Sequence, residues 1–304
     1  MTLIASLLGL FQFLTDDVGF MHLFLNESNE AERLTFGAEQ AAKSIGLFLH
    51  ANSFSLFLTL AVPVTLGMML EESRLKHRLI LLAIAGLGML AELTTLSRGG
   101  LLSFAAAFSS FWFAGRLSQA GRQKSRAGLP AWGVLLLILV VGGLLLRLGM
   151  YDLIVERFFS SAFEQRDAGS NFTRLINLGA ALNAFLANPL FGIGPGTSST
   201  YFTAFGGFTG LGPHNLVMFL ASERGGLVLF CFIAMMVTTI RTTLTLLRQK
   251  LAWGAIGLFA ALVGLLVHGL FESVLGDVFL PLFFANLALL LTYAQPEAPR
   301  RNAS

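Results

Sequence analysis

Long apolar runs separated by short polar connections dominate this chain. They occupy about residues 1–15, 45–70, 79–95, 100–115, 131–149, 222–240, 251–270 and 278–293. Each is near the roughly 20 residues an α-helix needs to cross the hydrocarbon of a bilayer, the shorter ones with help from tilt or flanking residues. None shows the two-residue alternation of a lipid-facing barrel strand. In lipid only helices and closed barrels satisfy the backbone, so the pattern predicts an all-α, polytopic membrane helical bundle of about eight transmembrane helices. One long polar stretch interrupts it and predicts a single large loop containing short helices. The segments are then 1–44 (first span and an acidic connection), 45–149 (central spans), 150–215 (the large loop), 216–294 (C-terminal spans) and 295–304 (a polar tail).

Composition agrees. Of 304 residues, 55% are hydrophobic and 12% charged, with mean hydropathy +0.74; soluble domains carry about twice that charge fraction. Twelve of the twenty Lys and Arg fall in 71–78, 116–130, 241–250 and the tail, connections that share one side. The positive-inside rule makes that side cytoplasmic. Both termini are then cytoplasmic, and the large loop faces outward, to the periplasm if the membrane is a bacterial inner membrane. The net charge of +3 reflects these anchors and gives no reason to expect nucleic acid. Cys231, alone in a span, excludes a disulfide framework and a thiol metal site. The opening MTLIASLLGLFQFLTDD lacks the basic n-region and cleavage site of a signal peptide and reads as a span; its abrupt apolar beginning leaves room for a start further upstream.

Costly polar residues gather at the outer ends of the spans. They are His50 and Asn52, then Glu92, Thr94, Thr95, Ser97 and Arg98, then Arg147, and then His268 and Glu272. Ionisable groups at such depth cost about 2.5–3.5 kcal/mol each on insertion scales and usually line a cavity. Singly, each could be an interface residue reaching for water; together with the loop residues Arg174 and His214 they mark one outward-facing site. Arg98 sits in the tight turn Thr94-Thr95-Leu96-Ser97-Arg98-Gly99-Gly100, where its fork of donors suits phosphate oxygens, the alternative being a headgroup anchor. A helix is predicted over about 172–187, capped by Ser170 or Asn171 and ended by Asn188-Pro189. That places Arg174 in the first turn, where guanidinium and free N–H groups together form an anion site, unless Asp167 or Glu164 pairs with it. His214 follows Pro213 at a span mouth and is suited to take a proton near neutral pH, with Asn215 placed to orient the ring; a structural histidine is the alternative.

Other signals carry less. Gly192-Ile193-Gly194-Pro195-Gly196 has no preceding strand and reads as turns rather than a dinucleotide loop. Asp16-Asp17 reads as a solvated loop, and no D-x-D is present to cradle a metal-bound sugar donor. No cofactor or metal site is expected.

In order, GLFLHANSFSLFL, TTLSRGGLL, Arg174 with its apolar helix, ANPLFGIGPGT and PHNLVMFLASERGGL resemble the O-antigen ligase/polymerase superfamily of bacterial inner-membrane glycosyltransferases, over about residues 44–240. The resemblance implies a glycan donor on undecaprenyl diphosphate and an acceptor that is lipid A–core in ligases or another lipid-linked glycan in polymerases. It implies that Arg98 and Arg174 bind the donor diphosphate, that His214 is catalytic, and that Ser97 and Asn215 support them. Asn52 stands where the family often has Pro-Asn, but Ala51 replaces the proline, so no role carries over. Relatives also have several more spans before the point where this chain begins. The expected chemistry is metal-independent inverting transfer, lipopolysaccharide ligation first and polymerisation as the alternative. A transporter or flippase of lipid-linked sugars, which would need polar groups at the membrane midplane, and an envelope scaffold are the rivals.

Overall fold

The computed structural model describes residues 1–15, 44–48, 50–118, 143, 165–208, 212–247, 252–273 and 279–292. They form α1 (Thr2–Thr15), α2 (Ala51–Glu71), α3 (Leu75–Thr94), α4 (Arg98–Leu117), α5 (Gln165–Ala187), the single turn α6 (Ser198–Tyr201) with a 3₁₀ turn at Phe202–Phe205, α7 (Leu216–Leu247), α8 (Trp253–His268) and α9 (Phe279–Thr292). The described residues contain no strand, as the apolar periodicity requires. Arg147 and the acidic connection with Asp16 and Asp17 lie outside the described residues, as do the tail and all but Gly143 of the span expected over 131–149.

Of the eight expected spans, the described residues supply three helices both long and apolar enough to cross a membrane: Ala51–Glu71, Leu75–Thr94 and Leu216–Thr245. Helices α1, α8 and α9 have 14, 16 and 14 residues, respectively. At 1.5 Å per residue they reach only about 21–24 Å. Helix α4 has 20 residues but opens on Arg98 and carries Arg116 and three serines.

Helix α8 is the axis of the bundle and packs against α2, α4 and α9. Two of its glycines permit backbone contact. A Cβ on Gly257 would lie 2.5 Å from the Pro63 carbonyl of α2, and one on Gly264 would meet Thr59 at 2.4 Å. Small residues at such crossings drive helix association in lipid, where burial of apolar surface contributes little. Around this seam Leu56, Met69, Phe111, Ile256, Leu262 and Leu265 are fully buried.

Tight connections place the helix ends. Glu72 turns the chain between α2 and α3, its carboxylate accepting from the Arg74 N–H at 2.9 Å, while Glu71 accepts from the Gly254 N–H at 3.0 Å and ties this end to α8. At the opposite end Thr95 donates to the Glu92 carbonyl at 2.7 Å, Leu96 takes a left-handed φ of 51°, and Ser97 caps α4 by accepting from the Gly100 N–H at 3.1 Å. A branched-at-γ side chain in that backbone region costs of order 1–3 kcal/mol; burial of Leu96, 6% exposed, offsets it. The starts of α2, α4 and α7 and the ends of α3 and α8 therefore share one end of the bundle, and Arg74, Lys76, Arg78 and Arg116 share the other.

Candidate active site

The shared end is organised by Glu272, four residues past α8, whose own N–H donates to the His268 carbonyl at 3.0 Å. One carboxylate oxygen receives Asn52 Nδ2 at 2.5 Å and Arg174 Nη2 at 3.2 Å. The other lies 2.8 Å from His214 Nδ1. Asn52 in turn accepts from Ser97 Oγ at 2.8 Å. Ser97, at the start of α4, is thus joined through Asn52 of α2 to Glu272, and through it to Arg174 of α5 and to the histidine preceding α7.

Burial alone raises the Glu272 pKa. The hydrogen bond and charge of His214, followed by the charges of Arg174 and His268, outweigh that and leave it lowered. Glu272 is therefore a carboxylate at neutral pH. A carboxylate can only accept, so Nδ1 of His214 carries the hydrogen and Nε2 keeps the lone pair when the ring is neutral. This is the arrangement that fixes a general base in its tautomer and stabilises the imidazolium formed when it takes a proton.

The structure changes three local expectations. Helix α5 starts at Gln165, not near residue 172, so Arg174 is its tenth residue and has no free N–H groups beside it; among the described side chains its carboxylate partner is Glu272, those of Asp167 and Glu164 lying outside them. The apolar periodicity begins at Phe172, but Gln165–Asn171 contains no proline and continues the helix. Asn215 does not orient the histidine ring: its side chain accepts from the Met218 N–H at 3.0 Å and donates to the Leu270 carbonyl at 3.1 Å, capping α7 and tying it to the segment that carries Glu272. Glu272 holds the ring instead. Among the polar residues expected at this end, Glu92 is fully buried and receives Ser55 Oγ at 2.5 Å, apart from the Glu272 cluster. Arg98 opens α4 directly after Ser97 and is half-buried.

Two residues of this cluster, Glu272 and Asn52, had no role assigned from sequence. The usable signal for Glu272 was an acidic residue one turn beyond a very apolar helix, level with the other outer ends.

Another buried carboxylate ties the run after α5 to α7. Glu223 of α7, 1% exposed, receives the Gly196 N–H at 2.7 Å, the Ser198 N–H at 3.2 Å and Ser198 Oγ at 2.5 Å. The turn-rich run after α5 thus closes over α7 at the point where Gly225, at φ 79° and ψ 176°, breaks the helix. A Cβ on Gly225 would strike the Leu190 carbonyl, and one on Gly192 would strike the Glu223–Arg224 backbone. Both glycine motifs are needed because they pack on each other.

Fold and site together define a membrane-helix protein with a histidine–carboxylate pair and cationic side chains at one end of its bundle. The O-antigen ligase family model matches residues 79–233, just over half of the chain and including every site residue except Asn52 and Glu272. The chain belongs to the O-antigen ligase family, whose members are glycosyltransferase-like ligases and polymerases. Comparisons with curated proteins and with solved structures give no match.

Proposed function

We propose that the protein transfers a glycan from undecaprenyl diphosphate to an acceptor hydroxyl on lipid A–core, at the periplasmic face of a bacterial inner membrane. The observation that carries this reading is Glu272 bridging His214 and Arg174: a base held in one tautomer beside a cation suited to a diphosphate. Family membership supports the ligase and polymerase class of reaction.

In this reading His214 Nε2 takes the proton of the acceptor hydroxyl as its oxygen forms a bond to the anomeric carbon. The bond from that carbon to the diphosphate oxygen breaks on the opposite face, so the configuration inverts. Glu272 stabilises the imidazolium. Arg174 and Arg98 offset the charge appearing on the departing diphosphate, an electrostatic contribution of about 3–4 kcal/mol per donor group. The arginines supply the positive charge that a metal ion would otherwise bring. Ser97 and Asn52 hold Glu272 from the far side, and Asn215 sets the start of α7.

The test is an in vitro transfer assay on purified protein with an undecaprenyl-diphosphate-linked glycan, lipid A–core and free lipid-linked glycan being offered in parallel. Product on lipid A–core that disappears in a folded His214→Ala protein is the expected result. Glycan lengthening instead would make the protein a polymerase, and undiminished transfer by His214→Ala would overturn the mechanism.

A further inference from the structure

Helix α5 is amphipathic in the reverse of the usual sense. Its buried positions are Asn177, Ala180, Ala181 and Ala184, the alanines meeting Phe202. At 100° per residue Phe172, Leu175, Gly179, Leu182 and Leu186 fall within a sector about 80° wide on the opposite side. The four large side chains there are 61%, 67%, 45% and 65% exposed, and Leu190 and Phe191 extend the strip past the helix end at 66% and 75%. A helix with water on its outer side carries polar residues there. This sector has none.

The partner of α5 explains the medium. Helix α7 has 32 residues, about 48 Å at 1.5 Å per residue, against a hydrocarbon core of about 30 Å. Residues 226–247, beyond the break at Gly225, suffice to cross. The preceding limb, Leu216–Arg224, is surplus to crossing, and its Met218 packs against the cluster formed by the buried alanines of α5 and Phe202. Arg174 reaches Glu272 beside His214 at one end. At the other, the Gly226 N–H donates to the Pro189 carbonyl at 2.7 Å and the Ile193 N–H to that of Ser222 at 2.8 Å. Just beyond the break Leu227, Val228 and Phe230 are exposed as well. The apolar surface therefore continues from Leu190, which abuts Gly225, onto the spanning part of α7.

We propose that the outward face of α5 beds in the acyl chains of the leaflet on the site's side. Helix α5 and the first limb of α7 then form a shelf within the membrane edge that holds Arg174 at headgroup depth. This goes beyond the transfer reaction and does not depend on it.

The test places single nitroxide labels at Leu175→Cys, Leu182→Cys and Leu186→Cys in a Cys231→Ser background, reconstituted in phosphatidylethanolamine–phosphatidylglycerol vesicles. Collisional accessibility to oxygen and to a water-soluble nickel chelate is compared with Leu79→Cys on the exposed face of α3 and Ser73→Cys in the connection before it. Oxygen-dominated relaxation at all three α5 positions, matching residue 79, is the expected result. Nickel-dominated relaxation matching residue 73 would overturn the proposal, and so would protection from both reagents, which would mean that protein covers the face. Labelled proteins with an unaltered thermal transition are the ones compared, and transfer activity does not enter the readout.

Discussion

Glu272→Gln isolates the charge of the central carboxylate while keeping its shape. The amide keeps one acceptor oxygen, which can still face His214 Nδ1, 2.8 Å away in the parent structure, while its NH2 takes the place of the oxygen that accepts from Arg174 Nη2 at 3.2 Å and from Asn52. It no longer stabilises an imidazolium. A hydrogen bond to a charged group contributes about 1.5–3 kcal/mol, and the His214 bond becomes fully charge-assisted on both sides only when the ring has taken a proton. Losing that difference slows turnover by about 10- to 150-fold at 1.36 kcal/mol per tenfold. Arg174 is released from its carboxylate at the same time, so the KM for the diphosphate donor should not rise. The assay is steady-state transfer on lipid-linked donor, with thermal unfolding to confirm folding and Glu272→Asp as a partial rescue. A kcat within twofold of the parent, or a loss confined to KM, would refute a role for Glu272 acting through His214.

Other expectations are independent of that one. Arg174→Ala and Arg98→Ala should each lower transfer by about 10²–10³-fold, read as kcat on saturating donor. The Glu272 pKa is depressed in the fold, so its contribution to stability is complete above the ordinary carboxylate value of 4.5 and is lost as pH falls through the lowered value. Thermal midpoints measured from pH 6 to pH 3 should therefore fall less in Glu272→Gln than in the parent. Glu223→Ala leaves the Gly196 and Ser198 donors without their acceptor and should cost at least about 2 kcal/mol, seen as a lower unfolding midpoint and faster proteolysis across residues 192–198. Gly257→Ala should destabilise by about 1–3 kcal/mol because its methyl meets the Pro63 carbonyl at 2.5 Å. Gly179→Ala, whose Cβ meets nothing within 4 Å on a helix surface, should stabilise by about 0.5–1 kcal/mol.

What the sequence made legible was whatever is local along the chain. Three helices long and apolar enough to span, α2, α3 and α7, appear near the expected residues, and so does the stop at Asn188-Pro189. The helix starting at Gln165 is longer than predicted because Ser170 or Asn171 reads as its cap. A residue able to cap ends a helix only where the backbone leaves helical geometry, and Gln165–Asn171, without proline, continues it. The site was legible as a set of polar residues at common ends of the helices but not as a network. Its bonds join residues 45, 58, 98 and 220 positions apart, and no periodicity encodes which outer end faces which. Glu272 illustrates the limit. In the chain it is one acidic residue after an apolar helix, and only the crossing of α8 with α2 and α4 brings it within reach of Asn52, Arg174 and His214. The glycine-rich run after α5 and the Ser-Glu-Arg-Gly-Gly stretch of α7 show the same thing from the other direction. Each has a recognisable composition, yet the reason for it lies in the other: Gly192 leaves room for the Glu223 backbone, and Gly225 leaves room for that of Leu190. Sequence reads the first as turns and gives the glycines of the second no role; the packing shows what both accommodate.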